Sequence, residues 1–140
     1  MVCIGNICRS PVAEGFILHY FKNNSIAGEV SSAGIYAMVG NSADPHAQTI
    51  MRDQFNIDVS QHRARQITKE MVQYYDLVLA MDQEQVTILK KKYPFALGKI
   101  YSLGKWRQVD IADPYQQSEA VFYTCIDLIQ ACVMDWIKKY

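Results

Sequence analysis

The sequence lacks an excess of charge of either sign, and it lacks any long block of like charges. Its 14 lysines and arginines balance 14 aspartates and glutamates over 140 residues. Proteins that bind nucleic acid or membrane surfaces through charge concentrate their basic residues in one region. The short run KKK at 90–92 is interpreted as a solvated helix end. We therefore expect no nucleic acid and no membrane among the partners of this chain.

Long apolar runs, signal-peptide features and abundant cysteines are also missing. No apolar run approaches the ~20 residues that a membrane helix requires. The amino-terminal region lacks a basic segment followed by an apolar stretch. The four cysteines are not spaced like a disulfide framework, and a chain of 140 residues can build a core without such bridges. These absences predict a cytoplasmic protein with reduced thiols.

No internal repeat, low-complexity tract or linker divides the chain, so we expect one domain over residues 1–140. Apolar periodicity predicts strands that alternate with helices, which is typical of a parallel α/β sheet. The predicted fold class is α/β, a single domain with a four-stranded, parallel, twisted sheet and helices on both faces. After the first strand, the predicted strands span 29–33, 74–81 and 99–103. The predicted helices span 11–20, 43–55 with Asp44 as its cap, 83–92 and 118–139.

The stretch CIGNICRS at 3–10 combines the residue types of an anion-binding loop. Gly5 and Asn6 tolerate left-handed backbone angles, so the loop can curl and direct successive N–H groups inward. The helix that follows adds unpaired N–H groups and its positive dipole end, which favour a phosphate-like group. Arg9 can bind two phosphate oxygens with its planar guanidinium. The same positive field favours the thiolate form of Cys3, which would make this sulfur a nucleophile.

The spacing Cys-x5-Arg followed by Ser is the active-site signature of cysteine-dependent phosphatases. The fuller string VCIGNICRSP closely resembles the motif of the low-molecular-weight protein tyrosine phosphatase family. Further segments extend the resemblance in family order over nearly the whole chain: SSAG at 31–34, DP at 44–45, HRARQITKE at 62–70, MD at 81–82 and DPY at 113–115. SAGIYAMVG and GKWRQ look most like bacterial members that act on tyrosine kinases of capsule and exopolysaccharide export. The resemblance implies hydrolysis of phosphotyrosine in a protein substrate, with such a kinase as the candidate partner.

The resemblance also implies a mechanism without a metal or a cofactor. Cys3 would attack phosphorus to form a cysteinyl-phosphate, Arg9 would stabilise the phosphoryl oxygens, and Asp113 would protonate the leaving phenolate. Asp113 would then activate the water that hydrolyses the intermediate. The residues expected to bind the phosphate are Ile4, Gly5, Asn6, Ile7, Cys8, Arg9 and Ser10.

Other residues match family positions that support this loop. Ser10 would hydrogen-bond the Cys3 sulfur, and Asn6, Ser32 and His62 would brace the loop. Asp82 matches a family position to which the sequence assigns no role.

Three residues are expected to form the walls of the substrate cleft: Ile7, Met38 and Tyr115. The residue matched to Ile7 is apolar in tyrosine phosphatases, whereas a threonine there is associated with arginine phosphatases. Ile7 therefore favours phosphotyrosine as the substrate. Tyr115 would form one side of a slot for the phenyl ring, and the flexible thioether of Met38 suggests an adaptable rim.

Two other functions fit part of the pattern. Arsenate reductases share the fold and the Cys-x5-Arg loop, but they relay oxidation through additional cysteines in a middle segment, and residues 60–100 contain none. A phosphate- or metal-binding module without turnover would have no need for the thiol, the arginine and the DP acid together. A Cys-x4-Cys pair alone is also a poor zinc pattern.

The remaining cysteines carry separate expectations. Cys8 either packs in the core or forms a reversible disulfide with Cys3 that protects the nucleophile. Cys125 and Cys132 lie on one apolar face of the last predicted helix, which predicts core packing.

Only Met1 and Val2 precede the motif, whereas family members carry several apolar residues there that form a longer first strand. We expect the short strand to make this chain less stable than a version extended upstream. The expected oligomeric state is a monomer or a weak dimer.

Overall fold

The computed structural model describes residues 1–139 and contains a four-stranded parallel sheet between two layers of helices. The strands are β1 (Val2–Cys3), β2 (Ala33–Gly34), β3 (Val78–Ala80) and β4 (Ile100–Ser102). The helices are α1 (Arg9–Asn23), α2 (Pro45–Phe55), α3 (Lys69–Tyr74), α4 (Gln83–Lys92) and α5 (Glu119–Ile137). Two short 3-10 segments, Pro94–Lys99 and Lys105–Arg107, flank β4. The predicted α/β fold with its four parallel strands is confirmed.

The strand order β2-β1-β3-β4 places β1 inside the sheet. Val2 is aligned with Ala33 on one side and with Ala80 on the other. In open parallel sheets, ligands bind beyond the carboxyl ends of the strands. Because β1 ends at Cys3, the sheet delivers this residue and the loop after it to that edge.

Alternate residues of β3 pack against helices on opposite faces of the sheet. Leu79 belongs to the core cluster that includes α1, α2 and α5, whereas Val78 and Ala80 belong to the cluster that includes α3 and α4. Side chains alternate between the two faces along a strand, so a strand covered on both faces is apolar throughout. The prediction of helices on both faces is therefore confirmed.

Helix α5 forms the centre of one face, where it packs against α1 and α2. By length and composition alone, α5 is long and apolar enough to cross a membrane, so the expectation that no apolar stretch approaches the length of a membrane helix was wrong for this segment. The core helices of soluble proteins also satisfy these two criteria. One face of α5 packs against the core. The side chains that it buries are Phe122, Cys125, Ile126, Ile129, Cys132, Val133 and Trp136.

Two predicted strands are shorter than expected. The sequence predicts one strand over 74–81, whereas α3 ends at Tyr74 and β3 begins only at Val78. Helix α3 was not among the predicted helices. Thr68 caps it by accepting a hydrogen bond from the Met71 N–H at 3.2 Å. The strand predicted over 29–33 is reduced to Ala33–Gly34, since its neighbour β1 has only two residues to pair with it. The other elements lie close to their predicted bounds, and Asp44 caps α2 as expected.

The amino-terminal edge of the sheet contains a cavity of about 800 Å³ beside Met1. Its lining is mostly apolar and includes Ile17, Phe21, Val30, Leu77 and Trp136. The Met1 ammonium donates to the Ser31 carbonyl at 2.9 Å, and burial lowers the pKa of this ammonium to about 6. A charged group is unfavourable in such a site, and a peptide N–H in its place would make the same hydrogen bond without a charge.

We predict that adding about four alternating apolar residues before Met1 raises the melting temperature by about 3 °C or more. The added strand would fill part of the cavity and remove the buried ammonium. Thermal unfolding followed by circular dichroism measures the midpoints, and a glycine-serine extension of equal length serves as the control. Equal midpoints for the apolar extension and the chain as given would contradict the prediction.

Candidate active site

The loop after β1 curls because one of its residues adopts a left-handed backbone conformation. Asn6 has a φ of 59°, in a region that asparagine enters more readily than most residues. Gly5, which the sequence allowed to do the same, does not have a positive φ. The chain then enters α1 directly, with Cys8 as a cap residue whose side chain makes no capping hydrogen bond. The first N–H groups of α1 are therefore available to an anion.

Asn6 is the centre of the contacts that hold this loop. Its side-chain amide donates to Ser10 Oγ at 2.8 Å and to Ser32 Oγ at 3.0 Å, and its side-chain oxygen accepts from the Arg65 N–H at 2.9 Å. Its backbone carbonyl accepts from His62 Nε2 at 2.6 Å. Asn6 is 0% exposed, so water does not compete for these bonds. The left-handed turn is thus fixed by partners from separate parts of the chain.

Cys3 lies at the start of the loop with two hydrogen-bond partners. Its Sγ lies 2.9 Å from Ser10 Oγ and accepts from the Asn6 N–H at 3.3 Å. A thiolate can accept hydrogen bonds but cannot donate them, so the Ser10 hydroxyl is the donor when the sulfur is ionised. The position beside the amino terminus of α1 also stabilises negative charge. The geometry therefore suits a sulfur anion.

Arg9 is 3% exposed, and its guanidinium is held mainly along one edge. Nη1 donates to the Ile111 carbonyl at 2.8 Å and lies 3.6 Å from Asp82 Oδ2, while Nη2 lies 3.7 Å from Asp113 Oδ2. The buried Nε has no hydrogen-bond partner within residues 1–139. A buried donor without a partner is unfavourable, and Nε together with Nη2 is an edge that can bind two oxygens of one phosphate. Arg9 is therefore prepared for an oxyanion.

Asp82, for which the sequence offered no role, anchors Arg9 to the sheet. Its Oδ1 accepts from the Gln85 N–H at 2.8 Å and so caps α4, while its Oδ2 faces the arginine. Ile111 holds Arg9 through its carbonyl, and the Ile111 N–H is itself bound to the Met81 carbonyl at 2.9 Å. The guanidinium is thus fixed to the carboxyl end of β3 by two routes.

Asp113 lies on the solvent side of Arg9. Its Oδ1 accepts from the Tyr115 N–H at 3.1 Å, which closes a turn around Pro114. Its side chain is 49% exposed, so the carboxylate can exchange protons with water while remaining near the arginine. Tyr115, at the other end of the turn, is half-exposed.

Glu14 and Arg65 support the loop, and the sequence analysis missed both. Ser32 Oγ donates to Glu14 Oε2 at 3.1 Å, and His62 Nδ1 lies 3.8 Å from the same oxygen. Glu14 lies one helical turn after Ser10, where a lone acidic residue in an apolar stretch of α1 was the available signal. Arg65 acts through its backbone N–H and also through its side-chain Nε, which donates to the Ser32 carbonyl at 2.9 Å.

Met38 and Ile7 border the same point of the loop. A Cβ atom at Gly5 would lie 3.6 Å from Met38 Sδ and 3.8 Å from Ile7 Cγ1. The Met38 N–H donates to the Gly5 carbonyl at 3.0 Å, and the Tyr36 N–H donates to the Ile4 carbonyl at 3.0 Å. Met38 is half-exposed, whereas Ile7 is buried and offers little of its surface. The segment that carries Met38 is therefore fixed directly to the loop.

All four cysteines, Cys3 included, are buried. Burial, with a smaller effect of the Asp44 carboxylate, raises the pKa of Cys8 well above its usual range. Burial also raises the pKa of Cys125 to about 12, and Cys132 is fully enclosed on the same helix. The predicted core packing of Cys125 and Cys132 is confirmed. A disulfide between Cys8 and Cys3 stays a prediction.

The structure brings the predicted site residues together. Arg9 contacts Asp113, and the loop that contains Cys3 leads directly into the helix that carries Arg9. The predicted supports Asn6, Ser10, Ser32, His62 and Asp82 all contact this loop or Arg9. No cluster of three His, Cys, Asp or Glu side chains suited to a metal ion occurs within residues 1–139.

Comparison with known proteins agrees with this site. The family model for low molecular weight phosphotyrosine protein phosphatase matches residues 1–140. The low molecular weight protein-tyrosine-phosphatase Ptp of Acinetobacter johnsonii is 44% identical over 138 residues, which cover 99% of this chain and 94% of that protein.

Solved structures show the same relationship. Vibrio vulnificus Wzb in complex with benzylphosphonate has a TM-score of 0.91 and 36% identity, over 99% of this chain and 95% of that chain. The YwlE arginine phosphatase from Geobacillus stearothermophilus has a TM-score of 0.87 and 30% identity, over 99% of this chain and 88% of that chain. From its sequence and its fold together, this chain belongs to the low molecular weight phosphotyrosine protein phosphatase family and is a protein-tyrosine phosphatase.

Proposed function

We propose that this chain hydrolyses phosphotyrosine in proteins through a cysteinyl-phosphate formed on Cys3. The observation that carries the proposal is the state of Arg9. Its buried Nε lacks a partner within residues 1–139, and its Nη2 faces the Asp113 carboxylate at 3.7 Å. A phosphate dianion in the loop would satisfy the Nε and would place its ester oxygen near Asp113. Nucleophile, oxyanion site and proton donor would then surround one phosphorus atom.

In the first step, the Cys3 sulfur attacks phosphorus as the bond from phosphorus to the tyrosine oxygen breaks. The electron pair of that bond leaves with the oxygen, which takes the proton of the Asp113 carboxyl group. The N–H groups of residues 4–10 and the Arg9 guanidinium stabilise the charge on the three equatorial oxygens. The products are free tyrosine on the substrate protein and a cysteinyl-phosphate.

In the second step, Asp113 acts as a base. Its carboxylate removes a proton from a water molecule as the water oxygen attacks phosphorus and the bond from sulfur to phosphorus breaks. The electron pair of that bond returns to Cys3, and the Ser10 hydroxyl at 2.9 Å can donate to the restored thiolate. Inorganic phosphate leaves, and no metal or cofactor is needed for either step.

We infer that the cleft selects a flat aromatic ring. Met38 would contact one side of the phenyl ring and Tyr115 the other. Ile7 would contact the ring at the base of the cleft, next to the phosphate loop. Aromatic faces and thioethers both pack favourably against rings. The geometry that supports this inference is the attachment of Met38 to the Gly5 carbonyl, which fixes the wall relative to the phosphate site.

Three rival activities have less support. An arginine phosphatase of this fold is associated with a threonine at the position of Ile7. An arsenate reductase needs further reactive cysteines, and Cys125 and Cys132 are buried in α5 with their pKa raised. A phosphate-binding module without turnover leaves the placement of Asp113 beside Arg9 unexplained.

We also propose the setting in which the enzyme works. SAGIYAMVG and GKWRQ support a bacterial enzyme whose partner is a tyrosine kinase of polysaccharide export. The cytoplasm is the expected location because catalysis needs a reduced Cys3, and a monomer or a weak dimer is the expected state.

The bound benzylphosphonate of Vibrio vulnificus Wzb, a phosphate group mimic on an aromatic ring, supports the substrate class.

We predict that Cys3→Ser abolishes turnover, with kcat at least about a thousandfold lower. We predict that Asp113→Asn lowers kcat by about 10²–10⁴. The Asp113→Asn loss should be larger for phenyl phosphate than for p-nitrophenyl phosphate, since the poorer leaving group depends more on a proton. Steady-state kinetics on both substrates measures these effects.

Asp110→Asn is the matched control for Asp113→Asn, because Asp110 lies in the same loop and contacts the Gln83 N–H rather than Arg9. This control should retain activity within about twofold. Turnover by Cys3→Ser, or equal losses on the two substrates for Asp113→Asn, would disprove the assigned roles.

We predict that phosphotyrosine peptides are hydrolysed at least about a hundredfold faster than phosphoserine or phosphoarginine peptides. Ile7→Thr should raise kcat/KM for phosphoarginine relative to phosphotyrosine by about tenfold, because the wall becomes smaller and polar. Phosphate release from matched peptides measures the ratio, with Ile7→Val as the control. A wild-type preference for phosphoarginine would show that the substrate class is wrong.

A further inference from the structure

The turn after α4 exposes two large apolar side chains. Phe95 is 51% exposed and Leu97 is 54% exposed, both on the 3-10 segment Pro94–Lys99. Their neighbours Tyr93 and Ala96 point inward and are buried. The buried side chains of Tyr93 and Ala96 therefore anchor this segment to the core, while Phe95 and Leu97 remain exposed to solvent.

Lysines surround this exposed pair. Lys69 Nζ lies 6.0 Å from the centre of the Phe95 ring, and Lys92 Nζ lies 5.6 Å from the centre of the Tyr93 ring. The Tyr93 and Phe95 rings are themselves 6.1 Å apart. We call the group formed by Lys69, Lys91, Lys92, Phe95 and Leu97 the Phe95 patch.

The charge of the Phe95 patch is not neutralised by ion pairs. None of its three lysines forms an ion pair within the part of the chain that the structure describes. Lys90 and Lys99 add positive charge nearby, although Lys99 also donates to the Tyr75 carbonyl at 2.7 Å. The patch itself thus carries three lysines and no acidic side chain around an apolar tip.

The usual explanation for the lysines covers only part of this patch. Lysines in the last turn of a helix stabilise its negative end, and α4 carries Lys90, Lys91 and Lys92 there. That effect was the basis for interpreting KKK as a solvated helix end. It does not account for the exposure of Phe95 and Leu97, which lie beyond the end of α4.

The Phe95 patch lies at the opposite end of the sheet from the active site. Cys3 ends β1 at the carboxyl edge, whereas α4 runs back from the end of β3 and its last residues lead into the start of β4. A surface that contacts the Phe95 patch would therefore leave the cleft around Cys3 and Asp113 open to a protein substrate.

We propose that the Phe95 patch docks this phosphatase reversibly on an anionic membrane surface, with Phe95 and Leu97 inserted among the lipids. This local patch departs from the balanced total charge that predicted no membrane partner. Lysines are attracted to anionic headgroups, and a small apolar tip adds to that attraction. A stable protein interface needs roughly 800 Å² from each partner, which two protruding side chains do not supply. A bilayer accepts a small convex tip, and for that reason the lipid surface fits better than an acidic protein.

The test measures binding of the whole protein to vesicles by co-sedimentation, and it does not depend on catalysis. Vesicles of phosphatidylcholine alone are compared with vesicles that also contain phosphatidylglycerol, at low and at high salt. We expect sedimentation only with phosphatidylglycerol and release at high salt, since screening weakens surface charge interactions. Phe95→Ser with Leu97→Ser, and separately Lys91→Gln with Lys92→Gln, should each weaken binding by about tenfold or more.

The matched control is Leu18→Ser with Lys22→Gln, which removes an exposed apolar residue and a lysine from α1 on the other face of the sheet. This control should bind vesicles like the unaltered chain. All variants should retain turnover of p-nitrophenyl phosphate, which shows that they are folded. Absence of binding to anionic vesicles at low salt would overturn the proposal, even if the Phe95 patch were found to bind an acidic protein instead. Unchanged binding of the Phe95 and Leu97 variant would also overturn it.

Discussion

The left-handed backbone of Asn6 is the constraint on which the rest of the site depends. A non-glycine residue in this conformation costs about 1–3 kcal/mol. The hydrogen bonds that Asn6 makes to Ser10, Ser32, His62 and Arg65 are each worth about 0.5–1.5 kcal/mol net, so together they offset that cost. The turn brings the Asn6 N–H within 3.3 Å of Cys3 Sγ and lets α1 begin at Arg9. One short bend thus places the nucleophile and the arginine at the same helix terminus.

The second requirement of the site is an arginine with a donor left free for an oxyanion. Arg9 is buried between Asp82 and Asp113, but the carboxylate distances of 3.6 and 3.7 Å are longer than those of a close hydrogen-bonded ion pair. The Nε remains without a partner among the described residues, and this unfavourable state is relieved when an oxyanion enters. The protein therefore holds its arginine in a state that favours substrate binding over the empty site.

The parts of the site that are local in sequence could be predicted, and the distant parts could not. Residues 3–10 contain the nucleophile, the left-handed residue, the helix start and the arginine, so their spacing alone indicated the loop. Asp44 and Thr68 cap their helices through hydrogen bonds to nearby residues, which is also a local feature. The Tyr-Tyr pair at the end of α3 nevertheless favoured a strand, so that helix was not predicted. The Ile111 carbonyl, which reaches Arg9 across 102 positions, acts through the backbone, so its side chain carries no signal. The strand predicted over 29–33 is short because its pairing depends on the two residues of β1, whereas the start of the strand predicted over 74–81 is taken by the end of α3.

We predict that, at neutral pH, Cys3 alone among the four cysteines reacts rapidly with iodoacetamide. The pKa values of Cys8, Cys125 and Cys132 are raised by burial, whereas Cys3 lies beside the start of α1 with the Ser10 hydroxyl and the Asn6 N–H as donors. Mass spectrometry of the alkylated protein should find modification at Cys3, and vanadate, which mimics the phosphoryl group, should suppress it. Modification of Cys3 no faster than that of the other three thiols, or no protection by vanadate, would contradict the claim that the loop holds a sulfur anion facing an oxyanion site.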